Sequence, residues 1–163
     1  MKTMQMKTLF LGFLVLLMLV GCGGDSDTSP SLDDDKAKLR LYGACKSIHS
    51  ASNWSINKQR GWNDPSLKLV LDTNAHRASV YALLSYQIVQ KYPETQWDEL
   101  LEISNDYMNN NILGRNIDLS MLRDMERQTC DWGLISPLVP ELKKAFTETQ
   151  FQQEYQQAYS MGR

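Results

Sequence analysis

Two histidines are the side chains of this sequence best suited to acid–base chemistry near neutral pH. Asp72 and His76 are four residues apart, which is one turn of a helix, and an aspartate in that position can orient a general base. The same spacing is typical of a simple surface interaction on a helix, which is the competing interpretation. Cys45 and His49 share this spacing and could both bind a metal ion. The sequence shows no clear third ligand, so we predict no metal site.

Acidic residues form two short clusters that a glycan hydrolase would have to place across a cleft. The clusters are Asp98, Glu99 and Glu102, followed by Asp124 and Glu126. By the periodicity of their segment, Glu99 and Glu102 lie on the solvent side of the third helix. The sequence also contains no Gly-x-Ser-x-Gly, His-Glu-x-x-His or phosphate-binding motif. We therefore predict no catalytic residue and no cofactor, and we keep an envelope hydrolase that uses Asp72 and His76 as an alternative.

The N-terminal segment has the order of features found in a secretion signal. Lys2 and Lys7 precede an apolar run from Leu9 to Val20 that only Gly12 interrupts. This run is too short to cross a bilayer comfortably, because a spanning helix needs roughly 20 apolar residues. A buried N-terminal helix of the fold is the competing interpretation. We expect residues 1–21 to be a signal peptide that is removed.

The end of this segment, Leu19-Val20-Gly21-Cys22, resembles the lipobox of bacterial lipoproteins. The resemblance covers only the N-terminus, and it implies cleavage before Cys22 and attachment of lipid to the Cys22 sulfur. Two or more acyl chains hold a protein stably on a membrane, whereas a single chain does so only marginally. Gly23 stands where an aspartate would favour retention in the inner membrane. The resemblance therefore implies a protein anchored in the outer membrane and facing the periplasm.

The cysteines of the mature chain predict one disulfide. If Cys22 carries lipid, Cys45 and Cys130 remain, and an oxidising compartment favours a bond between them. Such a bond would close a loop of about 85 residues. The chain-entropy model predicts that it adds about 4–5 kcal/mol to the free energy of unfolding.

The composition predicts one folded domain behind a short tether. The chain has 163 residues, 42% of them hydrophobic, and a net charge of −2. This length suits one domain, and a balance so close to neutral argues against nucleic acid as a partner. Residues 23–31 contain no side chain that could build a core. We therefore place a flexible tether at residues 22–32 and a folded domain at residues 33–163.

The pattern of the folded domain predicts an all-α fold, a small bundle of about five to six helices. Apolar residues recur at helical spacing, and no stretch alternates between apolar and polar residues as a strand would. The first helix begins near the acidic residues 33–35, where negative charge is favourable. It carries a predicted buried stripe consisting of Leu41, Cys45, Ile48 and Ser52, with Trp54 near its end. We expect a loop at residues 57–63.

Turn and capping residues predict where the later helices begin and end. Asp64-Pro65 opens the second helix, and Pro93 stops it. Residues 95–98 resemble a capping box, which would start a third helix that ends at Asn109-Asn110-Asn111 and Gly114. We place a fourth helix at residues 119–129, with an inner face that consists of Leu119, Met121, Leu122 and Met125.

The C-terminal part of the chain predicts a loop and two more helices. Gly133 and Pro137 mark the loop. Pro140 opens a short helix that runs through Phe146. Residues 147–150 are able to cap the last helix of the chain.

Two groups of aromatic residues are candidates for binding a partner. Phe151, Tyr155 and Tyr159 recur every fourth residue on the last helix, and they either pack in the core or form an exposed docking stripe. Trp62 follows Arg60-Gly61 in the predicted loop, and it either anchors an interface or folds back onto the domain.

Taken together, these patterns predict a lipid-anchored helical protein that acts through protein–protein interaction. Its expected partners are the membrane, through the lipid on Cys22, and an envelope protein that we do not identify. Small helical, disulfide-linked lipoproteins that guide secretin channels (pilotins) are similar in size and plan, although no pilotin motif matches residue by residue. Immunity lipoproteins, which neutralise toxins in the periplasm, share the same gross features and form a further alternative.

Overall fold

The computed structural model describes residues 31–60 and 64–160. Within these ranges the protein is all-α and has no strand, as the sequence predicts. The α-helices in chain order are α1 (Leu32–Arg60), α2 (Lys68–Val89), α3 (Trp97–Tyr107), α4 (Leu119–Thr129), α5 (Trp132–Ile135), α6 (Val139–Ala145) and α7 (Glu148–Ser160). Four short turns join them: the 3-10 turns Pro65–Leu67, Glu94–Gln96 and Ser136–Leu138, and the π-helical turn Met108–Ile112.

The long helices α1 and α2 form the centre of the bundle. Helix α1 packs against α2, α3 and α4, and α7 packs against α2. The largest buried cluster joins Cys45 of α1 to Tyr81 and Leu83 of α2, Leu142 of α6 and Phe151 of α7. Burial of these apolar side chains is the main term that holds the bundle together.

Helices α1 and α3 approach each other closely at Gly43. A Cβ atom at this position would overlap the backbone carbonyl of Ser104. The Ser104 hydroxyl donates a hydrogen bond to the Ser85 hydroxyl of α2 at 3.0 Å, so this bond also links the crossing to α2. Gly43 is required because any side chain would separate the two helices.

Several predicted helix ends are confirmed. Asp64 caps the turn that leads into α2, since its carboxylate accepts a hydrogen bond from the Ser66 backbone N–H at 2.9 Å. Thr147 and Gln150 form a reciprocal capping box at the start of α7, with N···O distances of 2.8 and 3.3 Å. Helix α4 occupies the predicted residues 119–129.

The prediction for α1 was wrong in two respects. The helix continues to Arg60, although we expected a loop from residue 57, and Asn57 is buried inside the bundle. Leu41 is exposed, although we expected it in the buried stripe with Cys45, Ile48 and Ser52. The first error arises because several helices cover α1, so its buried surface is wider than a single stripe and includes polar residues. The second arises because Leu39, not Leu41, faces the core at this end of α1.

Three further predictions are corrected by the structure. No side-chain cap forms at residues 95–98, because a 3-10 turn, Glu94–Gln96, leads into α3 instead. Met121 is exposed on α4, where Leu122 is the fully buried residue. Gly133 and Pro137 lie in the helical segment α5 and the following 3-10 turn rather than in a loop, and the Asp131 carboxylate caps this segment by accepting a hydrogen bond from Gly133 N–H at 2.9 Å.

Candidate docking groove

The predicted disulfide joins α1 to the residue that follows α4. Cys45 and Cys130 are bonded, with their Cα atoms 5.6 Å apart. Cys45 is fully buried in the main core cluster, and Cys130 is half-buried beside Ile48 and Leu122. The bond therefore holds α4 against the middle of α1. Cys22 lies outside the described residues, so its lipidation remains a prediction.

Asp72 and His76 do not form a hydrogen-bonded pair within the described residues. The Asp72 carboxylate accepts hydrogen bonds from Lys68 Nζ at 2.5 Å and from the Tyr155 hydroxyl at 2.6 Å, and these bonds lower the pKa of Asp72. His76 is half-buried and forms a T-shaped contact with Trp132 at a centroid distance of 6.0 Å. Burial, and then the positive charges of Lys143 and Arg77, lower the pKa of His76. Among the residues that the structure describes, no carboxylate forms a hydrogen bond that would orient His76.

The aromatic row of α7 packs against the bundle. Phe151 is buried in the main core cluster. Tyr155 and Tyr159 are half-buried against Ala75 and Ala78 of α2, and their rings are stacked with centroids 5.8 Å apart. This placement favours core packing over an exposed docking stripe. Trp62 lies outside the described residues.

The two acidic clusters are either solvated or paired with basic residues. Glu99 accepts a hydrogen bond from Lys36 at 3.2 Å, Glu126 accepts one from Arg77 at 2.8 Å, and Asp124 pairs with Arg127. Across residues 31–60 and 64–160, no group of three or more His, Cys, Asp or Glu side chains is placed to hold a metal ion.

A layer of polar side chains lies buried between α1, α2 and α4, and the sequence reasoning missed it. His49, Asn53 and Asn57 recur every fourth residue on α1, and all three are almost completely buried. Asn53 donates a hydrogen bond to the Leu71 carbonyl at 3.0 Å. His49 Nδ1, Asn53 Oδ1 and both polar atoms of the Asn57 amide are buried without a hydrogen-bond partner in the described part of the chain. The spacing of these three residues was the signal that could have revealed the layer.

The described surface carries an apolar groove of about 310 Å³, which we call the Trp54 groove. Helix α1 forms one wall, and the π-helical turn with the residues after it forms the other. Its lining residues are Ala51, Trp54, Met108, Ile112, Leu113, Gly114 and Arg115. Trp54 is 37% exposed and Leu113 is 60% exposed, although both are large and apolar.

Backbone geometry sets the shape of the second wall. Gly114 has a φ angle of +74°, which an L-residue with a side chain rarely adopts. The chain therefore turns sharply after the π-helical turn Met108–Ile112, and Leu113 and Arg115 lie on either side of this turn at the groove. The sequence analysis treated Gly114 only as a helix end and placed Trp54 near the end of a buried stripe, so it did not identify the groove.

The chain matches no known protein family, no curated protein and no solved structure. In the part of the chain that the structure describes, no helix combines the length and the apolar character needed to span a bilayer.

Proposed function

We propose that this protein is a lipoprotein of the bacterial outer membrane that faces the periplasm and binds an envelope protein through the Trp54 groove. In this proposal it works as an adaptor, an assembly factor or an inhibitor, and Cys22 carries the lipid anchor. The observation that carries the proposal is a concave apolar groove in which Trp54 and Leu113 remain exposed.

The residue types in the groove support protein binding. Tryptophan and arginine dominate the energetic hot spots of protein interfaces, and the groove offers both in Trp54 and Arg115. An apolar groove that stays open to solvent costs free energy in the isolated protein, and a partner that covers it removes this cost. Leu113 has the larger exposed fraction of these two apolar side chains, so we expect a partner to cover it.

The lipobox-like sequence and the start of the fold support the anchor. Helix α1 begins at Leu32, ten residues after Cys22 in the sequence, which leaves room for the proposed tether between them. Mass spectrometry of the N-terminal peptide tests this part. We expect Cys22 at the N-terminus with a diacylglyceryl mass on its sulfur, and an unmodified Cys22 in an uncut chain would contradict the anchor.

Site-specific photo-crosslinking in the native bacterium tests the binding part. A photoreactive residue at Leu113 should give one discrete protein adduct, and Trp54→Ser in the same chain should abolish it. The matched control is a photoreactive residue at Leu134, which is 72% exposed on α5 and does not line the groove. An adduct that forms equally from both positions, or no adduct at Leu113, would reject the groove as the binding site. The identity of the adduct distinguishes a channel subunit from a toxin.

A further inference from the structure

We infer that the occupant of the Trp54 groove is a short apolar segment of a partner protein that carries a carboxylate beside its apolar anchor. We place this carboxylate beside Arg115, which lines the groove, and Lys58, which lies over the Trp54 ring. This inference rests on the proposed function, because it names the chemistry of the segment that the groove would bind.

The first support is the positive charge of Lys58 and Arg115 beside the groove. Lys58 Nζ lies 5.0 Å from the centre of the Trp54 ring, and Arg115 is the charged residue among those that line the groove. Within the described residues neither Lys58 nor Arg115 makes an ion pair. Both charges are therefore available to a partner.

The second support is that Asp118, the first acidic residue after Arg115 in the chain, already has hydrogen-bond partners. The Asp118 carboxylate accepts hydrogen bonds from the Ser120 hydroxyl at 2.6 Å and from the Met121 backbone N–H at 2.9 Å, which fixes it as the cap of α4. These bonds lower the pKa of Asp118 and hold its charge at the helix N-terminus. The whole chain has more acidic than basic residues, 19 against 17. The two cations beside this groove are therefore a local feature and do not reflect the overall charge.

The third support is the contrast in charge between the groove and the cleft next to it. A smaller cleft of about 120 Å³ shares Met108 with the groove and lies between α1, α2, α3 and α7. Lys46 and Glu154 both border that cleft, so its charges balance. An apolar segment that carries a carboxylate is complementary to the two cations beside the groove, Lys58 and Arg115. A segment with a basic residue at that position would be repelled by them.

The length of the groove limits the segment to a few residues. From Ala51, which lines the groove, to Lys58, which lies over the Trp54 ring, helix α1 rises by about 10 Å at 1.5 Å per residue. An extended chain covers this distance with about four residues. The anchor and the carboxylate should therefore fall within about four positions of each other.

Selection from a displayed library of random 12-residue peptides tests the inference. The target is the purified full-length chain in detergent micelles. We expect the enriched peptides to share a large apolar residue with an aspartate or glutamate within about four positions. A selected peptide should bind at least tenfold more weakly to the Lys58→Glu/Arg115→Glu variant. The matched control, Lys143→Glu/Lys144→Glu on α6, makes the same change in net charge outside the groove and should alter its affinity less than twofold.

A second selection, on the Lys58→Glu/Arg115→Glu variant, should enrich lysine or arginine in place of the acid. Enriched peptides without an excess of acid, no enrichment at all, or the same consensus on both targets would overturn the inference. Displacement of the peptide by vesicles of anionic phospholipid, but not by vesicles of neutral phospholipid, would also overturn it, because the groove would then be a lipid-binding surface. A discrete adduct at Leu113 together with any of these results would leave the proposed function standing and reject only the acidic segment.

Discussion

The imidazole of His49 stacks on the phenol ring of Tyr81, with the ring centroids 5.9 Å apart and the planes inclined by 17°. His49 is only 1% exposed, and its Nδ1 atom lies 4.0 Å from a carboxylate oxygen of Glu126 on α4. That carboxylate already accepts a hydrogen bond from Arg77 of α2 at 2.8 Å. The stacked pair therefore places a histidine between three helices, with one cation and one anion facing it.

This environment predicts a loss of stability in mild acid. Burial, and then the positive charge of Arg77, lower the pKa of His49 to about 4, while a polar contact with Asn74 opposes the shift. An unfolded histidine has a pKa of about 6.5, so between these values the unfolded chain binds more protons than the folded one. The neutral His49 therefore makes its full contribution to the free energy of unfolding above about pH 6.5. That free energy falls by about 3 kcal/mol as the pH drops to about 4.

Urea denaturation at a series of pH values between 7 and 4 measures this effect. The control variant is His49→Gln, which keeps a polar side chain but cannot be protonated. We expect its stability to change less over the same range, because only the lowered pKa of His76, common to both proteins, still acts there. The lowered pKa of Asp35 acts at more acidic pH, below about 4, and is common to both proteins. Equal slopes for the two proteins would refute the role of His49.

The buried carboxylate of Asp35 predicts a second stability effect. Burial alone would raise its pKa, but hydrogen bonds from Lys91 Nζ at 3.1 Å and the Tyr92 hydroxyl at 2.9 Å more than compensate, so the pKa is lowered overall. Asp35→Ala removes the common acceptor that ties α1 to the residues after α2. We expect the free energy of unfolding to fall by about 1–3 kcal/mol. Asp34→Ala, at an exposed position one residue earlier, should change it by less than about 0.5 kcal/mol, and equal effects would count against the contact.

The α1–α3 crossing predicts that Gly43 does not accept a side chain. Gly43→Ala would push a methyl group into the Ser104 backbone, so the helices must separate or the backbone must shift. Overpacking of this kind costs about 1–3 kcal/mol or more. Gly133→Ala is the matched control, since its Cβ meets only the Asp131 side chain at 3.0 Å and that side chain can move. Thermal unfolding should show the larger loss for Gly43→Ala, and the reverse order would contradict the close crossing.

Loss of the disulfide should destabilise the whole bundle. The bond closes a loop with a sequence separation of 85. The chain-entropy model then gives about 4–5 kcal/mol for the Cys45→Ala/Cys130→Ala variant. This is a large part of the total stability of a typical domain, which is about 5–15 kcal/mol. Urea unfolding of the oxidised protein, the reduced protein and the double variant measures the loss. A reduced protein as stable as the oxidised one would reject the prediction.

Much of the local structure was predictable because it depends on short-range chemistry. Asp64-Pro65 and residues 147–150 carry their own hydrogen-bond donors and acceptors, so the start of α2 and the cap of α7 followed from residues a few positions apart. The pairing of Cys45 with Cys130 followed from counting cysteines. Thr95 shows the limit of this reasoning, because the same type of pattern there was replaced by a 3-10 turn after Pro93.

The sequence by itself determined the helical class, most helix ends and the disulfide, because periodicity, capping and cysteine number act locally or by elimination. Only the tertiary structure decided that His49, Asn53 and Asn57 are buried and that Trp54 and Leu113 stay exposed in a groove. The physical reason is that burial depends on which helices cover a face. Helix α1 packs against α2, α3 and α4. The sequence of α1 alone does not predict which of its residues these helices bury and which stay exposed.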